Sequence, residues 1–127
     1  MNVIGIDHVN LTCQAALEEA TIAFYRDVLG LTRVPKPPSQ RPSGAWLQIG
    51  NQQIHLSVDD NAPRDSQLAA SRHVCFRVAD LGAAEAALRA AGAPVTPDAR
   101  PIPGIHRLFT RDPAGNNLEL AEHGAGA

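Results

Sequence analysis

With 127 residues, 44% of them apolar and 19% charged, the chain has the size and core-forming content of one small globular domain. Lys and Arg number 11 against 13 Asp and Glu, a formal charge of −2 with no basic run, which excludes a protein built to grip a nucleic-acid backbone. No apolar stretch approaches the roughly 18–20 residues that a membrane helix needs, so no membrane partner is expected.

The first residues lack a basic region ahead of an apolar one and do not read as a signal peptide. Cys13 and Cys75 are the only cysteines, and a core of this size needs no staple. They are expected as free thiols in a cytoplasmic protein.

Residues 3–11 are rich in β-formers and predict a first strand. A helical stretch follows in which Leu17, Thr21, Phe24 and Val28 recur on one face, with Gly30 as its stop. Phe24 and Tyr25 are read as core. A short strand is predicted at 31–34, then a Pro-rich segment (Pro35, Pro37, Pro38, Pro42) that suits either a lid or a plain loop. Strands at Ala45–Ile49 and 53–58 turn about Gly50-Asn51. After a polar linker the order restarts. A strand is predicted at 73–78, and Asp80 caps a helix whose Leu81, Ala84, Leu88 and Ala91 share a face before Gly92. A short strand near Val95, a strand at 106–110, the turn Asp112-Pro113-Ala114-Gly115 and a strand at 117–122 complete it.

The two halves superpose as sequence. Asp7-His8-Val9 matches Arg72-His73-Val74, Leu29-Gly30-Leu31 matches Ala91-Gly92-Ala93, and Gln53-Ile54-His55-Leu56 matches Asn117-Leu118-Glu119-Leu120. Self-similarity at a long fixed period marks a duplicated unit. The expected organisation is a single domain over 1–127. Its parts are a βαβββ module at 2–58, a linker at 59–70, a second module at 71–122 and a disordered tail at 123–127. One such module buries little alone, so two should pack together, within a chain or across a homodimer.

Strand alternation decides which side chains share a face. Ile54, Leu56 and Val58 point one way, and Gln53, His55 and Ser57 the other. Val74, Phe76 and Val78 oppose His73, Cys75 and Arg77, while Leu118 and Leu120 oppose Asn117 and Glu119. His8 joins this polar set through its equivalence to His73. Three imidazoles and a carboxylate suit a borderline divalent ion such as Zn, Ni, Mn, Fe or Co. Arg107 shares its parity with Phe109 and is read either as an anchor for an anionic substrate or as a solvated edge-strand residue. Trp46 and Gln48 are read as wall and hydrogen-bonder of a substrate site, with Trp46 as core or dimer filler the alternative. His106 falls on the surface side. Cys75 is either a nucleophile near the metal or, the favoured reading, a small inert packing residue.

These segments, with Ala23-Phe24-Tyr25-Arg26-Asp27-Val28-Leu29-Gly30-Leu31 and Arg111-Asp112-Pro113-Ala114-Gly115-Asn116-Asn117-Leu118-Glu119-Leu120, resemble the vicinal oxygen chelate superfamily over nearly the whole chain. That superfamily includes glyoxalase I, extradiol dioxygenases, fosfomycin-resistance enzymes and bleomycin-resistance proteins. The resemblance implies an α+β fold of two βαβββ modules forming a cupped mixed sheet with helices on the outer face. It also implies metal ligands at His8, His55, His73 and Glu119, a substrate surface including Asn10, Trp46, Gln48, Arg107 and Phe109, and Glu119 as catalytic proton carrier. The activity it implies is a lyase or isomerase chelating a small substrate through two adjacent oxygens. A dioxygenase or thiol transferase on the same metal, and a metal-free drug-sequestering protein, are the alternatives. Departures are visible. Glyoxalase I enzymes commonly have a carboxylate where His55 stands, fosfomycin enzymes often have Thr where Asn10 stands, and Pro101-Ile102-Pro103-Gly104 shows no potassium-binding loop.

Overall fold

Alternating burial along each strand organises both halves. The computed structural model describes residues 1–62 and 71–124, which fall into two compact units, Met1–Ala62 and Pro63–Ala127. In the first unit β1 (His8–Cys13) runs parallel to β4 (Gln52–Val58). Beside β4 lie β3 (Ala45–Ile49) and then β2 (Thr32–Val34), both antiparallel, in the order β1-β4-β3-β2. Ala45, Leu47, Ile54 and Leu56 are buried on one face of this sheet.

The first strand starts later than its composition predicts. Residues 3–7 form no strand, and Val3, Ile4 and Ile6 are 78%, 95% and 65% exposed. Pairing begins where β4 supplies a partner: the Gln53 amide donates to Asp7 O at 3.2 Å, and His8 lies opposite Gln53. β-forming residues without a neighbouring ladder gain little from extension.

The predicted helix is three pieces rather than one. A 3-10 turn (Ala15–Leu17) leads into α1 (Glu18–Ala23), which opens into a π turn (Phe24–Val28) closed by the Leu29 amide on Phe24 O at 3.0 Å. The wider turn brings the consecutive residues Phe24 and Tyr25 both inside, where their rings meet edge to face at 5.4 Å. Thr21 and Ile22 are buried beside them, whereas Leu17 and Val28 are only half-buried.

The second unit repeats the plan. β5 (Val74–Arg77) runs parallel to β8 (Asn117–His123), followed by antiparallel β7 (Ile105–Arg111) and β6 (Thr96–Pro97), in the order β5-β8-β7-β6. His73 precedes β5 rather than opening it. The helix α2 (Leu81–Ala90) packs on β7 and β8 with Leu88 fully buried. Its ends are as the sequence predicts. Asp80 accepts from the Ala83 amide at 3.0 Å, and Gly92 at φ +75° closes a Schellman turn in which the Ala93 amide reaches Leu88 O at 2.9 Å.

His123, placed by the sequence in a disordered tail, belongs to β8, and the Gly124 amide donates to Gly104 O at 2.7 Å. Residues 125–127 of that tail lie outside the described residues. So do 63–70 of the linker, while its start is tied down by the Asp59 amide on Cys13 O and by Asp60, which accepts from the Ala15 amide. Among the described residues no helix is long and apolar enough to cross a membrane.

Candidate functional site

Register fixes which polar side chains meet on the sheet face opposite the buried one. In the first unit Asn10 of β1 and Trp46 of β3 flank His55 of β4, and Gln48 lies opposite Gln53. The His8 and His55 rings stack at 3.9 Å and 14°, and Trp46 stacks on the other side of His55 at 4.3 Å and 4°. A hydrogen-bond chain fixes the tautomer. Gln53 Nε2 donates to Gln48 Oε1, so Gln53 Oε1 is left to accept from His55 Nε2 at 2.8 Å. The lone pair of neutral His55 therefore resides on Nδ1, and a ligand role through Nε2 requires Gln53 to release it. Desolvation first, and then the charge of His8, hold the His55 pKa below its ordinary value, with Asp7 opposing. Neutral imidazole is the form that binds metals. His8 Nδ1 is engaged by Asp7 Oδ2 at 2.8 Å, which leaves Nε2 outward, as in a carboxylate-oriented metal ligand. Ser57 donates to Asn10 Oδ1 at 2.8 Å.

In the second unit Cys75 of β5 and Phe109 of β7 flank Glu119 of β8, so Glu119 occupies the place His55 has in the first sheet. Glu119 Oε2 lies 2.8 Å from His73 Nε2. Its Oε1 accepts from Arg107 Nη1 at 3.3 Å. Arg107 is held in turn by Asp98, Nε to Oδ2 at 2.8 Å and Nη2 to Oδ1 at 3.3 Å, and also donates to Arg100 O. That hydrogen-bonded pair raises the Arg107 pKa and holds Asp98 below the usual carboxylate range. Arg107 lies on the same sheet face as Phe109 and is hydrogen-bonded to two carboxylates, Asp98 and Glu119. Asp98 is the member of this network that the sequence did not single out. It lies in a loop, nine positions from Arg107, where no periodicity reports on it. A hollow of about 740 Å³ opens over His73, Arg107, Phe109 and Glu119, with Arg100 and Arg111 at its margin.

Cys75 is exposed beside Glu119 rather than packed as a small core residue. Partial desolvation against the sheet, and then the Glu119 carboxylate, push its thiol pKa up. Alkylation by iodoacetamide is therefore expected to be slow at neutral pH, with a rate still climbing above pH 9, and Glu119→Gln should accelerate it. A rate plateau near pH 8 would contradict this assignment.

The metal-type residues thus arrive as two pairs, His8 with His55 and His73 with Glu119, each within its own unit. Among the described residues no group of three or more His, Cys, Asp or Glu gathers as a metal site. Each pair offers donors of the type a borderline divalent ion takes, imidazole nitrogens in the first and an imidazole with a carboxylate in the second.

Residues 5–120 match the profile of the Glyoxalase/Bleomycin resistance protein/Dioxygenase superfamily, and the chain belongs to that superfamily. It is 30% identical over 113 residues to a lactoylglutathione lyase from Haemophilus influenzae, covering 83% of this chain and 84% of that protein. A glyoxalase family protein from Bacillus anthracis is similar in structure, with a TM-score of 0.83, 31% identity, and 97% and 98% of the two chains covered. The fold is also shared with a fosfomycin resistance protein from Listeria monocytogenes, at a TM-score of 0.77 and 14% identity over 98% and 97% of the chains.

Proposed function

We propose that the protein is a metal-dependent lyase or isomerase of glyoxalase type, with His8, His55, His73 and Glu119 holding one divalent ion. The observation that carries this reading is the duplicated register. At equivalent central positions the two sheets place His55 and Glu119, each in contact with the histidine that opens its module, His8 and His73. Chance placement of four ligand-type side chains on the repeat is a poor alternative. The similarity to a lactoylglutathione lyase supports the same class.

When bound, the ion supplies Lewis-acid polarisation of two neighbouring substrate oxygens. The protein's own groups do the rest. Both Glu119 oxygens are engaged, Oε1 by Arg107 and Oε2 by His73 at 2.8 Å. Glu119 takes the proton from the substrate carbon and returns it to the adjacent one through Oε2 once His73 releases that oxygen, with Arg107 holding Oε1. Trp46, Asn10 and Gln48 on the first sheet face, and Phe109 on the second, are the side chains this reading assigns to the substrate. The same reading makes the protein a cytoplasmic homodimer acting on a small molecule, which sedimentation in solution checks.

Elemental analysis after purification without chelator or affinity metal should find roughly one divalent ion per chain. A substrate panel, run with Ni or Mn without oxygen and with Fe(II) under oxygen, should give lactoylglutathione formation in the first arm. Turnover only in the second would replace isomerisation with oxygenation. A chain that neither retains nor takes up a metal would return the reading to a drug-binding protein.

A further inference from the structure

We infer that the Pro-rich segment between β2 and β3 builds a second binding feature, a subsite for the carboxylate or phosphate group of a small molecule. Between Asp27 and Asp59 the chain carries no acidic side chain, yet Arg33, Lys36 and Arg41 fall there, in a protein whose formal charge is −2. The structure folds those cations around shared space. A hollow of about 230 Å³ is lined by Lys36, Arg41 and Gln40 of the segment, by Trp46 and His55 of the sheet face, and by Ser57. Arg33, Lys36 and Arg41 also line an adjoining hollow of about 320 Å³. Neither lining contains a carboxylate.

Two acids approach from outside these linings: Asp7, bonded to His8, lines a neighbouring hollow that shares Gln40, Trp46 and His55, and Glu18 accepts from the Gly44 amide at 2.9 Å. That contact anchors the end of the segment. Lys36 is positioned by donating to Ser43 O, so its ammonium is held at the wall rather than spread into solvent. Arg41 makes no hydrogen bond or ion pair among the described residues. Two cations without a counter-ion, beside hydroxyl and amide donors, attract an oxyanion, and a guanidinium fork matches carboxylate and phosphate alike. The flat Trp46 ring, stacked on His55, offers the body of such a molecule an apolar face. Arg107, the cation that the sequence offered for this task, is already paired with Asp98 and Glu119. Lys36 and Arg41 carry no ion pair among the described residues.

Trp46 is the only tryptophan of the chain, so its fluorescence reports on the hollows it lines, this one and an adjoining one with Asp7, His8 and Gln48, and the Arg41 variant tells the two apart. Titration with benzoate is expected to give a saturable change with a Kd of about 1 mM, weakening as salt is raised, while benzylamine gives none. Inorganic phosphate is the second arm. Saturation by phosphate as tight as by benzoate assigns the subsite to a phosphate group, and saturation by benzoate alone assigns it to an aromatic carboxylate. Arg41→Gln, at an exposed position without structural bonds, should weaken binding about tenfold or more with an unchanged melting curve. Lys36→Gln should add to that loss. The inference is independent of the metal, because the signal should persist after chelator treatment. A signal abolished by chelator but intact in Arg41→Gln would place the anion on the metal and overturn the inference, as would benzylamine binding as well as benzoate.

Discussion

Glu119→Gln is expected to leave the fold in place while turnover falls to background and metal affinity drops at least about a hundredfold, since losing a ligand costs no less than losing its supporting partner. Glutamine keeps the shape of the side chain, and its carbonyl oxygen can still accept from Arg107. Arg107 is not stranded by the change, because Asp98 retains two hydrogen bonds to it. Glu119 is buried, so exchanging its charge-assisted hydrogen bonds for neutral ones should cost the metal-free protein about 1–3 kcal/mol, without unfolding it. What disappears is the anionic oxygen facing His73 at 2.8 Å, to which the proposed function assigns both the bond to the ion and the proton. Melting by circular dichroism, metal titration by calorimetry and turnover separate the three consequences. Wild-type metal affinity in the variant would take Glu119 out of the ligand set. Weakened affinity with full turnover would take away its role as base.

The parts of this fold that could be read in advance are those governed by local rules. Alternation in β4 and β8 placed Ile54 and Leu56 opposite His55, and Leu118 and Leu120 opposite Glu119, because a strand offers only two faces. The ends of α2 were legible for the same reason: Asp80 and Gly92 act on backbone groups within four residues of themselves. The first strand was overextended because Val3, Ile4 and Ile6 favour a strand only where a neighbouring strand exists, and β4 begins at Gln52. The π turn at Phe24–Val28 breaks the 3.6-residue period that predicted which helix residues face inward, and no residue type announces it.

The site divides along the same line. Membership of a face was legible, but bonding on that face was not. The stack of His8, His55 and Trp46 depends on a parallel register between β1 and β4 and an antiparallel one between β4 and β3, which alternation does not supply. Alternation puts Arg107 on the face with Phe109, but its partner Asp98 sits in an irregular loop before β7, where no periodicity reports on it. Lys36 and Arg41, by contrast, have no ion pair among the described residues.

Gly44→Ala is expected to be the most destabilising single-methyl change in the first unit. Gly44 stands at φ +79°, and a Cβ there would lie 2.1 Å from Leu56 O and 3.2 Å from Leu56 C. Both atoms are backbone in a paired strand, with Ala45 opposite Leu56, so neither can swing aside as a side-chain end would. The left-handed conformation costs a residue with a Cβ roughly 1–2 kcal/mol, and forcing β3 from β4 adds about 1–3 kcal/mol more. A total of about 3 kcal/mol corresponds to a melting temperature lower by roughly 10 °C in a chain of this size. Gly50→Ala is the matched comparison. Gly50 has φ +55° in the β3–β4 turn with nothing within 4 Å of a built Cβ, so only the conformational part should appear there, about a third of the loss. Because Gly44 also carries the amide that Glu18 accepts from, displacing it should loosen the segment bearing Lys36 and Arg41, weakening benzoate binding as well as lowering the melting point. Gly50→Ala should lower the melting point and leave benzoate binding at its wild-type value. Equal losses of stability at the two glycines would mean that backbone conformation alone, and not the approach of Leu56, makes Gly44 obligatory.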